Sequence, residues 1–180
     1  MSSRDRYDSV AITLHWITGI GIFVIGLTEI LRGQLFERGS APREFLKVLH
    51  EPAGLIIFAL IAVRIFWRIT HQPPAPAGDP TAIEARAAKL VHLALYALMI
   101  AIPLLGIATS AARGRPVNFG LFQIASPIER TKDWIGPTTE IHEIAAYALI
   151  ALAVGHIAAA IYHQVALKDG LLLRMMPERR

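Results

Sequence analysis

Apolar residues gather along this chain in four long blocks, and charges and prolines collect between them. The blocks run near 10–31, 46–69, 89–112 and 138–166. Each is long enough to cross a bilayer as a helix, which takes roughly 20 residues. The fourth is the longest and is expected to tilt or to emerge at its C-terminal end. The breaks carry turn chemistry: Arg-Gly and Gly-Ser-Ala-Pro after the first block, Gln-Pro-Pro-Ala-Pro-Ala-Gly-Asp-Pro after the second, and Arg-Gly-Arg-Pro and Ile-Gly-Pro in the third break. No internal repeat is evident. The pattern predicts an all-α integral membrane four-helix bundle that forms one domain over residues 1–180.

Composition agrees with a polytopic membrane protein. Of the 180 residues, 54% are apolar and 18% charged, so surface polarity is scarce for a soluble domain of this size. Cysteine is absent, which excludes disulfides, iron–sulfur clusters, Cys-ligated zinc and covalent haem attachment. The net charge of +4 is scattered over the connections and termini and builds no basic stripe, so nucleic acid is not an expected partner. The start, MSSRDRYDSV, is too charged and too close to an apolar block to resemble a cleavable signal, so the first helix is expected to be retained. An even number of spans puts both termini on one side. The termini and the middle connection carry ten Lys and Arg residues against eight on the other two connections, a slight preference for cytoplasmic termini.

Six of the seven histidines fall inside or at the rim of a span, where ionisable side chains are costly and point to function. In the fourth span, His142 and His156 are fourteen residues apart. That spacing returns to within about 40° of the same helix face and separates the pair by roughly 21 Å along the axis. One helix thereby offers a neutral nitrogen ligand towards each membrane surface, as two stacked haems require. His15 lies near the cytoplasmic start of the first span and His50 near the opposite surface in the second. Because alternate helices run in opposite directions, His15 matches His156 for an inner haem iron, and His50 matches His142 for an outer one. The residues three and four positions beyond each are small: Thr18 and Gly19, Ala53 and Gly54, Ala145 and Ala146, Ala159 and Ala160. A flat macrocycle against a helix needs such neighbours. His92, followed by Leu95 and Tyr96, is the main rival to His15. Against the ligand reading stand hydrogen bonding between helices and ordinary small-residue packing.

Other side chains have narrower roles. Arg64 and Arg68 at the inner side and Arg113 at the outer side, with Arg115 beside it, are candidate contacts for anionic haem propionates. Interface anchoring is the competing role for these arginines, and Trp16, Trp67 and Trp134 suit the aromatic belt. His163 is a candidate quinone or proton contact; solvation at the interface accounts for it equally well. His71, in the Pro-rich linker, is expected to be solvated. Glu29, near the outer end of the first span, is assigned no chemistry. Glu51 and Pro52 follow His50 and are expected in the first turn of the second helix, where Glu51 would lower the outer haem's potential.

Several stretches together resemble the bacterial cytochrome b561 family of di-haem membrane proteins. They are SVAITLHWITG, LHEPAGLIIFALIAVRIFWR, VHLALYALMIAIPLLG, ARGRPVNFGLF, the fourth span and the tail KDGLLLRMMPERR. The resemblance covers nearly the whole chain and implies an inner-membrane bundle with cytoplasmic termini and two non-covalent b haems on His15, His50, His142 and His156. It also implies electron transport in the respiratory chain, and in some members a superoxide oxidase activity with ubiquinone as acceptor. Superoxide, an anion, would be drawn by Arg113, Arg115, Arg130 and Lys132, while nearby acids weaken the pull. One departure is visible: Glu51 and Pro52 stand where the family often has lysine and serine, which weakens any donor site relying on positive charge there. The alternatives are a cytochrome b subunit linking quinone to a dehydrogenase, a hydrogenase or a cytochrome c, and a haem-free transporter or proton conductor. Short spans without paired broken helices disfavour the latter.

Overall fold

The structure, a computed structural model, describes residues 6–75 and 81–177. The first five residues, the centre of the Pro-rich linker and the last three residues of the tail, all used above, lie outside the described residues. The described residues include four long α-helices: α1 Ser9–Leu35, α2 Ala41–Thr70, α3 Ala82–Ala112 and α4 Lys132–Tyr162. All four are long and apolar enough to cross a membrane.

The helices begin earlier than the apolar blocks, most of all α2, α3 and α4. Hydropathy marks the part that lies in hydrocarbon, whereas caps decide where a helix starts. Asp8 caps α1 by accepting the Ala11 N–H at 2.9 Å. Thr81 and Glu84 close a capping box that starts α3. At α2, Pro42 occupies the first turn, and Glu44 and Lys47 pair at 2.9 Å beside it. The early start of α2 corrects the placement of Glu51 and Pro52. They lie about three turns inside the helix rather than in its first turn. Pro52 there withdraws one backbone hydrogen bond from mid-helix, and Glu51 gains nothing from a helix N-terminus.

The helices pack as two antiparallel pairs, α1 with α2 and α3 with α4, which meet across a more open interface. Small residues allow close approach. A Cβ on Gly21 of α1 would fall 2.3 Å from the Ile57 side chain of α2, and one on Gly26 would fall 3.1 Å from Ile150 of α4. Ile61, Met99 and Leu149 from α2, α3 and α4 form a buried apolar core. Outside it the pattern is inverted relative to a soluble bundle: Ile20, Val24 and Leu27 of α1 and Ile69 of α2 are more than half exposed. Such a surface needs lipid, and helices suit it because their backbone groups are satisfied internally.

The third connection holds a short hairpin the apolar pattern does not announce, β1 Val117–Asn118 paired antiparallel with β2 Gln123–Ile124. Phe119 and Phe122 stack at its tip, with ring centres 4.8 Å apart. After α4 the chain continues through a π-helical turn, His163–Leu167, and a 3₁₀ turn, Leu172–Met175. The latter is strapped across the start of α1. The Trp16 indole donates to the Met175 carbonyl at 2.6 Å, and Arg6 donates to the Met176 carbonyl. Trp67 at the end of α2 donates to the Asp8 carboxylate at 3.1 Å, tying the two helix ends together on the terminal side of the bundle.

Candidate functional site

Four half-buried histidines form two pairs between the helices. On the terminal side, the rings of His15 in α1 and His156 in α4 have centres 6.3 Å apart. On the opposite side, His50 in α2 and His142 in α4 stand 6.2 Å apart. One metal ion between two imidazoles, with nitrogens about 2.0 Å away and ring centres about 1.1–1.2 Å further, gives a separation of about 6.2–6.4 Å. Both pairs meet that requirement. His92 of α3 also faces His156, at 5.4 Å, but is exposed.

The surroundings suit a flat cofactor that brings its own equatorial ligands. Among the described residues no group of three or more His, Cys, Asp or Glu comes together as a bare metal ion would require. Gly19 and Gly54, one turn beyond His15 and His50, have nothing within 4 Å of where a Cβ would sit. The Thr18 hydroxyl beside His15 is fully buried and has no hydrogen-bond partner among the described residues. His142 is oriented by its Nδ1, which lies 3.0 Å from the Ile102 carbonyl; donation to that oxygen leaves Nε2 free as a ligand.

A model of the family described as prokaryotic cytochrome b561 matches residues 6–178. The chain belongs to the prokaryotic cytochrome b561 family. It is 32% identical over 176 residues to "Cytochrome b561 homolog 1" of Escherichia coli, covering 98% of this chain and 99% of that protein. It is 30% identical over 182 residues to "Probable superoxide oxidase CybB" of Yersinia pestis, covering 98% and 99%. It is also 32% identical to "Cytochrome b562" of Cereibacter sphaeroides over 183 residues, covering 99% and 100%. Membership implies b-type haem and electron transfer, and together with the four spans it makes the chain a multi-pass protein of the bacterial inner membrane.

The remaining candidates of this cytochrome b561 family member are placed as follows. Arg64 does not point away from the ligands: its Nη2 lies 2.9 Å from His15 Nδ1, and its guanidinium lies over Tyr96. A guanidinium only donates, so this contact requires an unprotonated Nδ1. A neutral His15 bound to iron through Nε2 carries its proton on Nδ1, so such ligation excludes this contact. Arg68 lies over the Tyr7 ring, 5.7 Å from its centre. Arg113 donates to the Thr139 hydroxyl at 3.1 Å, and its partial burial, together with Arg115 nearby, weakens its hold on its proton. His163 Nδ1 is 2.6 Å from Asp169, and this contact holds the Asp169 carboxyl below its ordinary pKa. His71 is exposed as expected, stacked on Trp67 at 3.7 Å.

Two features were missed from the sequence. Glu29 is not idle: it is paired with Arg32, and its Oε2 lies 3.6 Å from His50 Nδ1. A signal was available, because Glu29 follows His15 by the same fourteen residues that separate His142 from His156. The second is a cleft of about 730 Å³ at the terminal side, between the start of α1 and Met176, with Ile12, Trp16 and Ile17 on its wall and Tyr7 and Asp8 beside them. It depends on the fold of the C-terminal strap, which no local pattern announces.

Proposed function

We propose that this protein carries electrons across the inner membrane through two non-covalent b haems, taking them from superoxide at the periplasmic face and delivering them to ubiquinone. Both termini are cytoplasmic in this reading. His15 and His156 hold the inner haem, and His50 and His142 the outer. The observation that carries it is the pair of ring separations, 6.3 and 6.2 Å, at opposite ends of one helix bundle. Each haem, when bound, accepts and releases one electron; the protein supplies position, potential and access.

The protein's own contributions follow from its residues. Two superoxide anions lose one electron each and leave as dioxygen, while one quinone takes two electrons and two protons. Arg113, Arg115, Arg130 and Lys132 give the outer connection the positive charge that favours an anionic donor. Glu51 opposes it in part. Arg64 and Arg68 hold propionates on the inner side and Arg113 on the outer, with Arg64 turning from His15 to do so. His163, hydrogen-bonded to Asp169, passes protons to quinone on the cytoplasmic side.

The test is a reduced-minus-oxidised spectrum of purified protein with pyridine-haemochrome quantitation, followed by superoxide and then ubiquinone. Two b haems per chain, reduced rapidly by superoxide and reoxidised by quinone, are expected. Two haems indifferent to superoxide would move the reading to a cytochrome b subunit that serves a partner dehydrogenase, hydrogenase or cytochrome c. Protein without haem would overturn it.

A further inference from the structure

We infer that Glu29 is a positioning residue for the outer haem: its carboxylate stands behind His50 and lowers the midpoint potential of that haem. The inference rests on the two-haem reading above. An imidazole that binds iron through Nε2 keeps a proton on Nδ1, and that N–H needs an acceptor when it is buried. His50 Nδ1 is buried and has no hydrogen bond among the described residues. Glu29 Oε2 faces it at 3.6 Å.

The two outer ligands are therefore backed differently. His142 has a neutral carbonyl behind it, from Ile102 at 3.0 Å, whereas His50 has a carboxylate. A carboxylate behind Nδ1–H makes the imidazole more basic and the bound iron easier to oxidise. Arg32 holds Glu29 in place, with Nε donating to Oε2 at 2.9 Å and Nη2 donating to Oε1. That pairing makes an ionised carboxylate tolerable inside a span. Helix α1 thus serves both sites, His15 for one and Glu29 for the other, as α4 does with His142 and His156.

The experiment is spectroelectrochemical titration of the purified holoprotein in detergent, with His142→Ala used to assign which potential belongs to the outer haem. Glu29→Gln is expected to raise the outer midpoint enough to change its oxidised-to-reduced ratio about tenfold at fixed ambient potential, which is 59 mV for a one-electron couple. The inner midpoint should not move, and Glu29→Asp should restore most of the difference. Glu29→Ala, smaller and likewise uncharged, should raise the outer midpoint as well, and it tests the idea even where Glu29→Gln folds poorly. Two haems present with an unmoved outer potential in Glu29→Gln and Glu29→Ala would overturn the inference and leave the two-haem reading standing. Wild-type protein with fewer than two haems would overturn the reading itself.

Discussion

His15 and His92 both face His156, and replacing each in turn decides which completes the inner site. The His15–His156 separation, 6.3 Å, falls within the span of about 6.2–6.4 Å that two imidazoles on one metal ion require. The His92–His156 separation, 5.4 Å, is shorter than that by about 1 Å. His92 is also exposed, and Leu95 and Tyr96 follow it one turn on, where His15 has buried Thr18 and open space at Gly19. His15→Ala should therefore reduce the content from two low-spin b haems per chain to one. His92→Ala should keep both, with only a small change in the inner haem's spectrum. The assay is pyridine-haemochrome quantitation per mole of protein, with low-spin and high-spin haem distinguished by absorbance. One haem lost in His92→Ala and two retained in His15→Ala would refute the distance argument.

Further outcomes follow from particular contacts. Gly114 has φ +64°, and a Cβ there would lie 3.1 Å from the Arg130 backbone nitrogen, so Gly114→Ala should cost at least about 1–2 kcal/mol and lower the melting temperature in detergent. Asp8→Ala removes a helix cap, about 1 kcal/mol, and also the Trp67 contact; in a double-mutant cycle with Trp67→Phe the two changes should prove non-additive. Burial tends to raise the Asp8 carboxyl, but the N–H of Ala11 and the Trp67 indole outweigh it, and its pKa is lowered from 3.8. Its contribution to stability is thus present above pH 3.8 and lost as pH falls through the lower folded value, so wild type should lose more stability than Asp8→Ala between pH 5 and 3 in thermal melts. His163→Gln and Asp169→Asn should each slow reoxidation by quinone several-fold while leaving haem content and superoxide-driven reduction intact, as stopped-flow absorbance would show.

The four spans were legible because a bilayer imposes one length and one composition on each, and no local detail overrides that. The histidine pairs were legible for a related reason: fourteen-residue spacing and alternating helix direction fix depth and face before any packing is known. Helix starts were not, because Thr81 with Glu84 and Asp8 with Ala11 extend the helices beyond the hydrocarbon that hydropathy detects. Pro52 misled for the same reason. Glu29 was passed over because an acid near a span end has an ordinary alternative in snorkelling, and only the approach of α2 shows what it faces. The contacts of Trp16 and Arg6 with Met175 and Met176 join residues at opposite ends of the chain, a distance across which no periodicity carries information.

Between the two histidine pairs lies a buried apolar layer of the bundle. Leu149 stands midway between His142 and His156, about 10 Å of helix rise from each, and with Ile61 and Met99 it forms the buried core. On the proposed reading, this largely apolar layer holds protons back, so those for quinone reduction come from the side where quinone is bound. On the proposed orientation, electrons then move inward against an inside-negative potential, which opposes a full crossing by about 2.3 kcal/mol per 100 mV. Inward transfer is favoured only if the outer haem has the lower midpoint. The charges this reading places beside the two sites are arranged in that sense. On this reading a carboxylate stands behind His50, which makes the outer iron easier to oxidise, and Arg64, turned from His15 to an inner propionate, keeps its positive charge on the inner side and makes the inner iron harder to oxidise. The direction of electron flow is in this view built into two side chains that touch neither superoxide nor quinone, and exchanging their charges should shrink the gap between the two midpoints or reverse it.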